Sequence, residues 1–358
     1  MSKFVAVIMA GGKGQRFWPL STVDKPKQFL DLERSGKTLI QTTFERVLPL
    51  VDSPEDIFVA TAERYAELVQ TQLDIPAGNL IIEPVGRDSA PAVALASLTV
   101  HERTPDAVVG FFSSDHRVGE PEAFRRTVTQ AAELARVQNG LVTIGIRPTR
   151  PATGYGYIRA GKAVGQGFRV AEFVEKPNAV RAQLYLEEGG YSWNAGIFVW
   201  PAQTILDELD AHAGELMVPL REAFETGNVE EVFPNLKKIS IDYAVMEHTD
   251  KAFVVPGDFG WDDIGDWVAL ERLLKRDGRK ADTAADTTNP NTVVGTHVGL
   301  ETEGNIIYTE DSSDIIVTLG VENLVIVKRG NAVLVIHKDR VQDIKALLSD
   351  ERLEHAVV

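Results

Sequence analysis

Five short runs of nearly continuous apolar character, at 4–9 (FVAVIM), 56–60 (DIFVA), 79–82, 107–112 (AVVGFF) and 141–146 (LVTIGI), punctuate the first 150 residues. Between them lie longer stretches, near 38–50, 62–73, 89–103 and 120–137, with the apolar spacing of helices. Thr38 followed by Gln41 matches a capping box at the start of the first. A strand that needs no polar alternation is buried on both faces. A strand–helix–strand rhythm lays successive strands parallel. The pattern therefore predicts an α/β fold with a mostly parallel sheet and helices on both faces.

After about residue 150 the strands become glycine-punctuated, at 155–160, 168–174 and 194–200, with helices near 178–188 and 201–225. The polar segment 276–292, RDGRKADTAADTTNPNT, lacks apolar periodicity and reads as a linker. Short strands follow at close spacing (TVVGTHVGLE, GNIIYTE, DIIVTLG, ENLVIVKRG, NAVLVIHK), then a helix over 339–349. Two parts are expected: a catalytic domain over 1–280 and a β module with a terminal helix over 281–358.

The 358 residues carry a formal charge of −15, against general nucleic-acid binding but not against one anionic ligand in a local basic pocket. The absence of cysteine excludes disulfides, thiolate nucleophiles and Cys-ligated zinc. With no secretory h-region and no apolar run of about 18 residues, the expected location is cytoplasmic, without membrane association.

Directly after the first strand comes MAGGKGQRFWPLSTVDKPKQFL, residues 9–30. Gly11, Gly12 and Gly14 crowd its exit with Arg16, Lys25 and Lys27. Glycines gather where backbone N–H groups must approach a phosphate closely. "SGKT" at 35–38 is not a P-loop, because Asp31 stands where the first glycine belongs. A dinucleotide fingerprint from Gly12 puts Phe17 at the close-packing glycine position. The remaining pattern, G-x-G-x-R followed by a lysine, suits a triphosphate whose leaving pyrophosphate needs cations, although a glycine-rich turn with solvated charges reads the same way.

Asp115, in FFSSDH, follows a strand at the edge where doubly wound sheets bind ligands. Asp262 and Asp263 lie in GWDDIGDW. Each of the three also reads as a loop carboxylate or helix cap. FVEKP ends a strand with Glu175, suited to sugar hydroxyls, and Lys176, suited to a phosphate. WNAGIF offers the amide of Asn194 for a hydroxyl, and TGYGYI flanks Tyr155 with Gly154 and Gly156. In EPVGRDSAPA, Glu83 is a candidate reader of guanine's N–H donors, and Asp88 or Ser89 a helix cap.

Taken in order, GGKGQRFWPL…PKQFL, EPVGRDSAPA, SSDH, TGYGYI, FVEKP, WNAGIF, IDYAVME and GWDDIGDW resemble the sugar-1-phosphate nucleotidyltransferases. Among these the chain is similar to the branch that joins GTP to mannose 1-phosphate, and the likeness runs over nearly its whole length. The resemblance implies a Rossmann-like, GT-A-like fold and a small left-handed β-helix-like C-terminal module, although the strand spacing shows no regular hexapeptide repeat. It implies Arg16 and Lys27 on the nucleotide phosphates, Lys176 on the sugar phosphate, and Glu175 and Asn194 facing the hexose; the residues themselves add Gly11, Gly12, Gly14 and Glu83 as nucleotide-binding candidates and Gly154 and Tyr155 as sugar-side candidates. It implies Asp115 and Asp263 on Mg²⁺; Asp263, not Asp262, fits the W-x-D-x-G pattern. Arg16, Lys27, Asp115, Lys176 and Asp263 form the catalytic set.

Many relatives continue into a cupin-type isomerase domain, and a chain ending at Val358 is expected to lack that activity. A glucose-1-phosphate uridylyl- or thymidylyltransferase and a non-catalytic regulatory relative stay open as alternatives. A nucleotide-sugar glycosyltransferase would want a D-x-D motif where SSDH stands. All candidate site residues precede the polar linker. The C-terminal segments are therefore expected to serve homodimer formation or stability rather than chemistry.

Overall fold

The computed structural model describes residues 2–12, 14–276, 290–348, 350 and 353. Most of the segment read as a linker, 277–289, lies outside them. The chain divides into two compact units that interleave along the sequence: residues 1–11, 40–114 and 118–261, and residues 12–39, 115–117 and 262–358.

The first unit is built on a nine-stranded sheet: β1 (Phe4–Met9), β2 (Ile57–Ala62), β3 (Leu80–Glu83), β4 (Val108–Ser113), β5 (Leu141–Ile146), β6 (Tyr157–Val164), β7 (Gly167–Val174), β8 (Tyr191–Pro201) and β9 (Ala252–Gly257), in the order β3-β2-β1-β4-β8-β5-β9-β7-β6. β1 pairs parallel with β2 and β4, and β2 with β3, as the apolar runs require. The sheet is mixed beyond that point. β8 runs antiparallel to β4 and β5, β9 parallel to β5, and the β6–β7 hairpin closes the far side.

Helices α1 (Leu39–Val47), α2 (Ala66–Gln72), α3 (Ser89–Arg103), α4 (Pro121–Gln138) and α5 (Ala179–Glu188) fall close to the expected stretches. The stretch expected as one helix over 201–225 is two, α6 (Ala202–His212) and α7 (Gly214–Thr226). The Ala213 N–H closes α6 on the Leu209 carbonyl, and the Ala213 carbonyl opens α7 by accepting from Leu216 and Met217. The capping residue of α3 is Asp88, not Ser89: Asp88 Oδ1 accepts from the Ser89 N–H at 2.8 Å. Val7, Phe111, Trp200, Leu209 and Met217 are fully or almost fully buried in this unit's core.

In the second unit, Phe17, Leu32, Ile264, Trp267, Ile306 and Val325 share one core. Short α8 (Val229–Val232) belongs to the first unit; α9 (Trp267–Arg276) carries much of the second unit's apolar face. The C-terminal strands are β10 (Thr292–Val294), β11 (Thr296–Leu300), β12 (Ile306–Thr309), β13 (Ile315–Leu319), β14 (Leu324–Arg329) and β15 (Ala332–His337). Parallel pairing of β10 with β12, of β12 with β14, and of β11 with β13, is the rung stacking of a β-helix, at unequal intervals along the chain. The terminal helix is shorter than expected, a 3₁₀ turn Lys338–Asp343 followed by α10 (Ile344–Leu347).

The C-terminal strands do more than follow the linker. Arg329 donates to the carbonyls of Pro19 at 3.0 Å and Leu20 at 2.8 Å, and Arg34 to those of Thr309 and Glu310. The glycine-rich loop is thus held by the β module within one unit. Among the described residues no helix is long and apolar enough to cross a membrane.

Candidate active site

Lys27 is the hub of the second unit's polar cluster. Its side chain is buried, and Nζ donates to the Asp263 carbonyl at 2.8 Å and the Ile264 carbonyl at 2.9 Å, with Asp115 Oδ2 at 2.9 Å. These three acceptors match the three N–H donors of an ammonium, so a phosphate reaching Lys27 must exchange for one of them. The loop glycines divide their work. Gly14 has φ +53°, and a Cβ there would lie 2.5 Å from Lys27 N, whereas a Cβ on Gly12 would meet none of the described residues within 4 Å. Gly14 is therefore small to admit the lysine's own backbone, while Gly12 leaves open space for a ligand. Gln28 Nε2 fixes the loop by donating to the Gly12 carbonyl at 2.9 Å.

Arg16 follows on the same loop, its Nε buried with no hydrogen-bond partner among the described residues. Arg16's charge holds Lys345 of α10 below the usual lysine pKa, with burial adding to the effect. Two cations sharing one neighbourhood favour an anion between them. Sequence reasoning missed Lys345, which lies 329 positions from Arg16 and in no motif.

The two adjacent acids differ. Asp262 pairs backbone to backbone with Arg117, its Oδ1 accepts from the Ile264 N–H at 2.8 Å, and Oδ2 lies 3.8 Å from Arg272. Its carboxylate shapes the turn. The Asp263 carboxylate folds over Gly265, where a Cβ would come within 3.0 Å of Oδ2.

Among the described residues no three His, Asp or Glu side chains group as a metal cage. Mg²⁺ commonly takes one or two carboxylates and completes its shell with substrate phosphates and water. Asp115, beside the Lys27 ammonium, and Asp263, whose carbonyl binds the same ammonium, supply two hard-oxygen groups. That donor set fits Mg²⁺.

In the first unit, Glu83 ends β3 almost completely buried, and burial raises its pKa to about 7. Its Oε1 would lie 3.1 Å from a Cβ on Gly11. The structure brings this carboxyl against the first loop glycine.

Glu175, Lys176 and Asn194 form a second group in that unit. Lys176 Nζ lies 2.6 Å from Glu175 Oε1; the lysine is exposed and the glutamate side chain buried. A Cβ on Gly156 would lie 2.6 Å from Glu175 Oε2, so TGYGYI needs its second glycine for that carboxylate. Asn194 Oδ1 accepts from Thr143 Oγ1 at 2.8 Å and the Gly196 N–H at 3.1 Å, while Nδ2 donates to Asp242 Oδ1 at 2.9 Å. Its oxygen is filled and one N–H is left.

Tyr155 lies edge-on to Trp193 and Trp261, and Arg150 donates to its hydroxyl at 3.1 Å while stacking over the Trp193 ring. Gly154 stands in open space. Asp242 and Arg150 are further members that sequence reasoning did not assign. IDYAVME carried the signal for the first, as an acid opening an apolar turn.

Residues 5–279 match the family model for nucleotidyl transferases, and residues 295–350 that of the MannoseP isomerase/GMP-like β-helix domain. The chain belongs to the nucleotidyl transferase family. Within it, the similarity to mannose-1-phosphate guanylyltransferases spans nearly the whole chain. It is 38% identical over 371 residues to that of Salmonella muenchen, covering 99% of this chain and 76% of the relative. It is 37% identical over 376 residues to that of Escherichia coli K12, with the same coverage. A solved structure from Thermus thermophilus, described as a mannose-1-phosphate geranyltransferase, superposes with a TM-score of 0.86 at 37% identity, covering 98% of this chain and 99% of that one. A UDP-glucose pyrophosphorylase structure at 15% identity and TM-score 0.51 shares the fold alone.

Proposed function

We propose that this protein transfers GMP from GTP to mannose 1-phosphate, releasing pyrophosphate and forming GDP-mannose. The observation that carries this is the similarity, 37% to 38% identical along 99% of the chain, to relatives named for that activity. The presence of every residue of the candidate set supports it.

A phosphate oxygen of mannose 1-phosphate attacks the α-phosphorus of GTP. A new P–O bond forms as the bond to the β,γ-pyrophosphate breaks in line with it. The nucleophile is already anionic, so no general base is needed, and the protein's task is positioning and electrostatic stabilisation. Gly12 opens the loop to the phosphates, and Arg16 and Lys27 offset the charge that grows on pyrophosphate. Lys176 meets the hexose phosphate, with Gly154, Tyr155, Glu175 and Asn194 around the sugar. Glu83 reads guanine, a role supported by its burial beside Gly11 at the end of β3. Mg²⁺, held by Asp115 and Asp263, supplies neutralisation of the phosphate oxygens when bound.

The test is pyrophosphate release across GTP, UTP, dTTP and ATP, each with mannose 1-phosphate or glucose 1-phosphate. GTP with mannose 1-phosphate should exceed the UTP and dTTP pairs by at least ~100-fold in kcat/KM, about 2.7 kcal/mol. A preference for UTP or dTTP would overturn the guanylyl assignment.

A further inference from the structure

IDYAVME is a motif of the resemblance from which no site residue was taken. Residues Asp242–Met246 form a π-helical turn, a geometry that often marks functional sites. Its apolar side chains, Ala244, Val245 and Met246, are buried in the first unit's core together with Ile241. The turn is pinned from outside as well. The Ile241 N–H donates to Ser89 Oγ at 2.9 Å, and the Ala90 N–H to the Ile239 carbonyl at 3.1 Å. The start of α3, in EPVGRDSAPA, therefore fixes where Asp242 stands.

The carboxylate this holds in place touches the sugar-side group. Asp242 Oδ1 accepts from Asn194 Nδ2, and its charge acts on both Glu175 and Lys176. An asparagine amide can bind in two orientations that exchange donor for acceptor. Here Thr143 and Gly196 donate to one end and Asp242 accepts from the other, which permits only one orientation. Resting on the reading of Glu175, Lys176 and Asn194 as the sugar-phosphate side, we propose that Asp242 is a positioning residue for that substrate. It locks the Asn194 amide so that its remaining N–H faces the hexose, and it sets the charge balance around the Glu175–Lys176 pair.

The groups facing Asp242 are Glu175 and Lys176 from the end of β7, Asn194 from β8 and Asp88 ahead of α3. Burial first, and then the Glu175 charge, raise its pKa to about 7. Near neutral pH the cluster can therefore take up a proton as a phosphate arrives, which lowers the repulsion that phosphate meets.

The experiment measures KM for mannose 1-phosphate and for GTP from pH 6 to 8 in the wild type, Asp242→Ala and Asp242→Asn, with thermal unfolding as the folding check. Asp242→Ala should raise KM for mannose 1-phosphate at least ~10-fold and change KM for GTP less than ~2-fold. Asp242→Asn keeps an acceptor for Asn194 and should stay within ~3-fold of wild type at pH 7. It should also lose the wild-type rise in sugar-phosphate KM between pH 6 and 8. Equal effects of Asp242→Ala on both substrates, or a pH profile of Asp242→Asn identical to wild type, would overturn the inference while leaving the activity standing. A wild type that does not turn over GTP with mannose 1-phosphate would overturn the substrate reading, and this inference with it.

Discussion

Gly14 and Lys27 compete for one space: a Cβ on Gly14 would lie 2.5 Å from the Lys27 nitrogen and 2.7 Å from its Cβ. The backbone of Lys27 cannot yield cheaply, because its ammonium is committed to Asp115, Asp263 and Ile264. Gly14→Ala should therefore displace Lys27. It is expected to lower kcat/KM at least ~100-fold and to destabilise the protein by about 2 kcal/mol, combining left-handed backbone strain and overlap. Gly12→Ala meets open space and should leave thermal stability almost unchanged, while a Cβ obstructing phosphate approach still lowers activity. Equal melting temperatures for the two variants would contradict the packing relationship.

Asp262 and Asp263 should separate in the same way. Asp263→Asn and Asp115→Asn are expected to cut kcat by several orders of magnitude with folding intact, because the amide would remove a charge from the proposed Mg²⁺ site. Asp262→Asn weakens the pairing with Arg272 and the turn at Ile264, and its cost should fall on stability. An inactive Asp262→Asn beside an active Asp263→Asn would reverse the assignment.

Much of this is legible in the sequence. The strands of the first half lie within about two residues of the apolar runs, since burial on both faces leaves an unmistakable pattern. What stayed hidden depends on partners distant in sequence. Nothing near KPKQFL says that Lys27 will bind carbonyls at 263 and 264. Nothing in the polar segment before β10 says that Arg329 will hold Pro19 and Leu20. The C-terminal strands looked peripheral because all the motifs precede them, yet they share a core with the glycine-rich loop. Asn194 reads as a lone polar side chain in WNAGIF, yet partners 51 and 48 positions away orient its amide.

That shared core gives the C-terminal segment a direct test. Lys345→Ala removes the cation beside Arg16 and should raise KM for GTP several-fold while leaving KM for mannose 1-phosphate unchanged. Lys345→Arg should restore it. An effect of Lys345→Ala that salt does not diminish would argue against an electrostatic role, because exposed charges are screened at high ionic strength.

The β11–β13 pair exposes Val298, Leu300, Ile315, Val317 and Leu319, and the register sets Val298 beside Val317 and Leu300 beside Leu319. Each is more than half exposed, so the two strands turn one apolar face outward. The homodimer expected from the sequence would have this face to bury. Val317→Lys with Leu319→Lys should convert a dimer to a monomer in light scattering without loss of melting temperature. A monomeric wild type would refute the dimer.

Glu83 has the clearest pH signature. Burial lifts its pKa from 4.5 to about 7, so the folded state binds a proton that the unfolded chain has already lost in that interval. Stability from this group is complete below about pH 4.5 and declines as pH rises through the interval to about 7, after which the penalty is constant. Glu83→Gln keeps the shape and removes the titration. Its melting temperature relative to wild type should rise between pH 5 and pH 8, by about 2 °C if half of the nominal ~3 kcal/mol survives relaxation. The same variant tests base reading: an amide offers guanine's N–H donors a weaker acceptor, so the preference for GTP over ATP should narrow. Parallel melting curves at both pH values would show that the carboxyl is solvated. An unchanged GTP preference would assign base selection to neighbouring backbone carbonyls.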